Sequence, residues 1–205
     1  FEIYNVVADP QERTNLANLA AYASLQQCMQ ARVLQVRRPD PGAPRPYDRE
    51  LVPAVSIPNL VSGIEWRTCE RRLPWVATLE DLAPSAVGTA RRIAGGRLPA
   101  VHGGGALFSG FIRVPADGDY TFYVSADGGA LLRLHEAVVI DADAGYVPRT
   151  EAQGAVRLQA GLHPFRLYYR RGDSGAAFLR FQWRAGDGRK RDVPASVLFR
   201  PQSGG

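Results

Sequence analysis

The chain of 205 residues carries 45% hydrophobic residues, enough for one ordinary buried core and a smaller companion, and so reads as globular. No apolar run reaches the roughly eighteen residues that a helix needs to cross a bilayer, which excludes a membrane-spanning helix. The net charge of +5 would suit a polyanion, but Lys190 is the only lysine and arginine is scattered through strand and loop patterns, which argues against a nucleic-acid surface.

The first element expected is a short strand, because Phe1 to Val7 alternate in polarity. It starts at once, with no charged-then-apolar leader, as expected for a piece of a longer protein whose targeting signal lies upstream. Asp9-Pro10 favours a tight turn, and Thr14 or Asn15 can cap a helix that begins near Leu16. Leu16, Leu19, Tyr22, Leu25, Met29, Val33 and Val36 then recur at helical spacing, giving one amphipathic helix that needs a partner surface. The segment RRPDPGAPRP, Arg37 to Pro46, has four prolines and cannot continue that helix, so the expected linker runs over 37–56.

From about Ile57 the pattern becomes strands punctuated by Gly, Pro and Asp. Runs are expected near 60–67, 105–114, 119–125, 130–140, 153–159, 163–170, 177–184 and 194–199. Tyr120, Phe122 and Val124 share one face, as do Phe165, Leu167 and Tyr169, and again Leu179, Phe181 and Trp183. The fold class is therefore mainly β, an antiparallel β-sandwich over 57–200 with a tail at 201–205, preceded by a strand and helix at 1–36.

The residue chemistry offers little for catalysis. His102, His135 and His163 have no metal-ligand spacing, and no Ser lies in a Gly-x-Ser-x-Gly elbow. Cys28 and Cys69 can pair or stay free, and do not make a disulfide framework. Arg189-Lys190-Arg191 reads as a solvated basic loop between Asp187 and Asp192. Arg171-Gly172-Asp173 spells an integrin-recognised tripeptide, but Gly172-Asp173 is also ordinary turn chemistry at a hairpin tip. For sugar recognition, Tyr146 after Gly145 is the surface aromatic, with Arg149 nearby, whereas Trp183 alternates with core positions.

Two resemblances carry further implications. The opening FEIYNVVADPQERTNLA resembles the closing segment of sulfatases, with Tyr4, Asp9, Pro10, Glu12, Asn15 and Leu16 in place. Cys28 to Arg32, CMQAR, has the Cys-to-Arg spacing of a sulfatase nucleophile motif but lacks its Pro and Ser, so no catalysis is expected of this piece. The stretches LFSGFIRVPADGDYTFYVSADGGALLRLHEAVVIDADAG, EAQGAVRLQAGLHPFRLYYRRG and FLRFQWRAGDGRKRDVPASVLF resemble the protective-antigen-type β-sandwich, a PA-fourteen-like domain. With IPNLVSGIEWRTCERRLPWVATL in front, the resemblance covers Ile57 to Arg200.

That resemblance implies a carbohydrate-binding module, in some members acting through calcium held by two consecutive Asp residues. The pair falls at Asp127 and Gly128, so only the first carboxylate is kept. Asp141 and Asp143 match acidic positions and could face the same loop end, completing a calcium site with Asp127 beside Tyr146. The plainer alternative is that all three Asp residues serve turns. The implied whole is a non-catalytic accessory module on a secreted, periplasmic or cell-surface sulfatase, holding it near a polysaccharide, sulfated or not. The alternative is a structural or protein-protein interaction domain with no sugar.

Overall fold

The computed structural model describes residues 2–17, 19–37, 50–71, 76–80, 82–93, 104–143, 145–173 and 175–202. Contacts divide the chain into two compact units, Phe1–Arg45 and Pro46–Gly205. Most of the expected linker over 37–56, and His102, lie outside the described residues. The sandwich begins before Ile57, since the Val52 amide donates to Arg157 O at 2.8 Å and the Val55 amide to Leu162 O at 2.9 Å.

The first unit does not open with a strand. Asn5 prevents it: its side-chain oxygen accepts from the amides of Val7 (3.2 Å) and Ala8 (3.0 Å), bending the chain into a turn. Asp9 Oδ2 accepts from the Thr14 amide at 2.8 Å, and Asn15 Oδ1 bridges the amides of Ile3 (3.1 Å) and Ala17 (2.9 Å). These three side chains do locally what a sheet partner would have done. The helix also starts later than Leu16, with a 3-10 turn at Ala20–Tyr22 and then α1, Ala23–Arg37. Leu25 and Met29 on α1 are exposed.

The second unit is two antiparallel sheets. The larger sheet runs β1 (Leu60–Ser62), β12 (Leu198–Pro201), β4 (Gly105–Val114), β9 (Gly161–Arg170), β6 (Gly129–Leu134) and β7 (Ala137–Ala142), with β2 (Ile64–Cys69) also on β4 and β3 (Ala86–Ala90) on β2. The smaller runs β11 (Arg191–Asp192), β10 (Leu179–Ala185), β5 (Gly118–Ala126) and β8 (Ala152–Leu158). Phe108, Phe165, Leu167 and Leu132 of the larger sheet meet Phe122, Val124, Phe181 and Trp183 of the smaller in one core. Phe122 and Phe181 stack with centroids 6.0 Å apart, which adds ring-ring attraction to the burial.

Several expected runs divide. The run 60–67 breaks at Gly63, whose φ of +108° is a conformation that side chains rarely adopt. The run 130–140 is a hairpin, turning at His135 and Glu136 between β6 and β7. The strand β3 was not expected, because it lies at an edge and its mostly exposed residues show no apolar alternation. Cys28 is exposed, Cys69 is buried, and both are free thiols.

Candidate functional site

The loop end expected to hold a ligand is built around Asp127, between β5 and β6. The residue is buried, with its side chain only 2% exposed. Its amide donates to Phe178 O at 3.0 Å, and its Oδ1 accepts from the Phe178 amide at 3.0 Å and the Tyr169 hydroxyl at 2.6 Å. Its Oδ2 accepts from the Gly172 amide at 3.1 Å and pairs with the Arg171 guanidinium. Burial pushes the Asp127 carboxyl up, but the Tyr169 hydroxyl, the two amides and Arg171 outweigh it and hold the pKa below the usual carboxylate value. The Tyr169 hydroxyl is pushed well above its ordinary pKa by burial and by its bond to Asp127.

Arg171 closes this arrangement. One of its nitrogens pairs with Asp127 and another donates to Gly175 O, so the guanidinium bridges a carboxylate and a loop carbonyl as a bound cation would. Asp127 thus ties the β5–β6 turn to the β9–β10 loop. The position after it admits only glycine: a Cβ at Gly128 would lie 2.3 Å from Arg170 O and 2.5 Å from the Gly172 amide nitrogen. The second Asp of the family pair is therefore excluded by backbone packing.

The other expected site residues are also engaged. Asp143 Oδ2 accepts from the Val76 amide at 2.9 Å, and its Oδ1 accepts from Arg170 at 3.4 Å. Asp141 is exposed and accepts from the Asp143 amide at 3.3 Å, an ordinary Asp turn. Tyr146 is not a surface platform. It packs against the sandwich core, its hydroxyl accepting from the Ala126 amide at 2.9 Å and donating to Thr150 O at 2.6 Å.

The calcium expectation at Asp127, Asp141 and Asp143 does not fit this geometry. A calcium ion takes roughly six to eight oxygens, and the lone pairs of Asp127 are directed at four internal donors. Among the described residues no group of three or more His, Cys, Asp or Glu is placed to hold a metal ion. Sequence reasoning missed Tyr169, Arg171 and Phe178, which lie more than forty residues from Asp127. The one available signal was the Arg171-Gly172 pair directly after a strand whose Phe165, Leu167 and Tyr169 alternate inward. The same geometry answers the integrin-like string: Arg171 is paired inward, and Ser174 lies outside the described residues.

Elsewhere, Lys190 of the basic cluster pairs with Glu151 at 2.5 Å and lies 4.5 Å from the Tyr123 ring centre, so it is structurally employed. His163 is buried: its Nε2–H donates to Gln159 O at 2.8 Å, which leaves its Nδ1 to accept from His135 Nε2–H at 2.9 Å.

Residues 105–196 match the PA14 domain family. No curated protein sequence matches the chain. Similar solved structures include an anti-sigma factor domain-containing protein from Clostridium clariflavum, at 20% identity and TM-score 0.55, covering 71% of this chain and 49% of that one. The chain thus spans about half the length of that relative. The PA14 domain of the antifreeze protein MpAFP aligns at 14% identity and TM-score 0.57, covering 72% of this chain and 95% of its own. The Epithelial Adhesin 9 A domain from Candida glabrata, solved in complex with Galb1-4GlcNAc, aligns at 12% identity and TM-score 0.58, covering 78% and 98%. At such identities the likeness is one of fold.

Proposed function

We propose that this chain, whose residues 105–196 form a PA14 domain, is a non-catalytic carbohydrate-binding module that works without a bound metal. One observation carries the metal-free part of the reading: buried Asp127 fixes the β5–β6 turn and the β9–β10 loop together through protein donors alone, so that end of the sandwich is held without an ion. The galactoside complex of the adhesin with the same fold supports it. The net charge of +5 favours the approach of sulfated chains at long range, while local groups decide what is held. An array of neutral and sulfated oligosaccharides probed with the intact chain tests the reading. Calcium-insensitive retention of a subset is expected; a folded chain that binds nothing on the array overturns it.

A finer proposal places the module at the C-terminal end of a secreted sulfuric ester hydrolase, outside the cytoplasm. The opening segment supports it, since Asp9 and Asn15, shared with sulfatase closing segments, are the side chains that fold it. A longer gene product with no Cys-x-Pro-Ser-Arg motif upstream would remove this part. A structural role without sugar is favoured by a single fact, that Asp127 and Tyr146 spend their polar atoms internally.

A further inference from the structure

The outer face of the larger sheet changes character along its strands. Leu107, Tyr168 and Leu131 stand opposite one another on β4, β9 and β6, and Val76 and Leu79 cover them. Two residues along each strand, the register places Glu65, Ser109, Arg166 and Arg133 side by side across β2, β4, β9 and β6. Two residues further, Phe111 and Pro164 are paired. Residues directly opposite share a face, so a polar row lies between a covered apolar patch and a half-buried aromatic ring.

An open cleft of about 340 Å³ lies over this row, lined by Glu65, Ser109, Phe111, Glu136, Pro164 and Arg166 among others. Its polar groups differ in what they have left to give. Arg166 is occupied, pairing with Glu80 at 3.0 Å and Glu136 at 2.7 Å and donating to His135 O at 3.2 Å. Among the described residues, the Glu65 carboxylate and the neighbouring Ser109 hydroxyl have no side-chain hydrogen bond or ion pair. His135, on the rim, has its pKa lowered by burial and by His163, which keeps it neutral at neutral pH.

We infer that this cleft is a binding site for a neutral saccharide. A free carboxylate beside a free hydroxyl suits the paired hydroxyl groups of a sugar ring, and the Phe111 ring with Pro164 suits its C–H face. A sulfate or uronate would meet Glu65 and Glu136, with the Arg166 guanidinium already neutralised. The walls stand on strands β2, β4 and β9, so little ordering is required on binding. The inference rests on the carbohydrate reading above but assigns it to a face of the sheet rather than to the loop end.

The test takes the intact chain, Glu65→Gln with Ser109→Ala, and Arg149→Ala at the loop end, where the Arg149 guanidinium donates to Ala176 O at 3.1 Å, on an array of neutral and sulfated oligosaccharides. Titration calorimetry with the strongest neutral ligand follows. The cleft variant should bind about tenfold or more weakly with an unchanged melting temperature, and Arg149→Ala should bind like the parent. Neutral-glycan binding that survives the cleft variant, whether or not Arg149→Ala loses it, overturns the cleft and leaves the carbohydrate reading standing. Retention of sulfated glycans alone overturns the ligand class. No retention by the folded parent removes both.

Discussion

Replacing Arg171 with alanine tests whether an internal guanidinium does the work of a cation at the loop end. The change leaves the Asp127 carboxylate buried with three neutral donors, the Tyr169 hydroxyl and the amides of Gly172 and Phe178. Stranding a buried charge costs about 3–5 kcal/mol when the site is dry. Arg171 is 16% exposed and the remaining donors still solvate the carboxylate, so about 2–3 kcal/mol is expected here. For a domain of this size that lowers the melting temperature by about 4–12 °C. Millimolar calcium should leave the parent unchanged, since only an ion that binds the folded state raises its stability. A melting temperature within about 1 °C of the parent in Arg171→Ala would show that the ion pair contributes little. A calcium-induced rise in the parent would show that the guanidinium does not replace a metal.

Asp127 also sets an acid dependence. Its folded pKa is lowered, so its stabilisation is complete above the unfolded value of about 3.9 and is lost as pH falls through the folded pKa; Asp127→Asn should flatten melts recorded over that acid range. Gly128→Asp should lower the melting temperature without creating a calcium response, because its Cβ would meet Arg170 O at 2.3 Å. Tyr146→Phe should cost about 1–2 kcal/mol in urea unfolding, from the Ala126 and Thr150 bonds, and leave glycan retention intact. His135 and His163 both have pKa values lowered by burial, so folding favours their neutral forms and stability falls as pH drops below about 6.5. His135→Asn, which tolerates the φ of +51° there, should reduce that slope between pH 7.5 and 5.5 in thermal melts even with Glu136 and Arg166 in place.

What could be read from the sequence followed from periodicity. Phe122, Val124, Phe165, Leu167, Phe181 and Trp183 alternate along their strands, and all lie in the core. The strand expected at Phe1 to Val7 had the same alternation and failed, because Asn5 offers the backbone a nearer partner than any sheet. Site geometry was less legible for a related reason. Asp127 was located correctly at a turn, but its partners depend on which loops the topology brings together. Tyr169 alternates with core residues and reads as packing; only the fold brings its hydroxyl to Asp127 at 2.6 Å.

The two faces of the domain differ in how their polar groups are spent, and that difference is the strongest argument for where binding occurs. At the loop end, the Asp127 carboxylate accepts from four donors, and Asp143 and Tyr146 are bound to backbone or to Arg170. A ligand there would have to displace bonds whose loss leaves buried groups unpaired, at a cost comparable to what its own contacts return. Over the larger sheet, Glu65 and Ser109 are half-buried and internally unpartnered, so a ligand's hydroxyl groups would replace water rather than protein. The internal closure around Asp127 therefore serves the stability of the sandwich, and the open polar row can accept a ligand without breaking it.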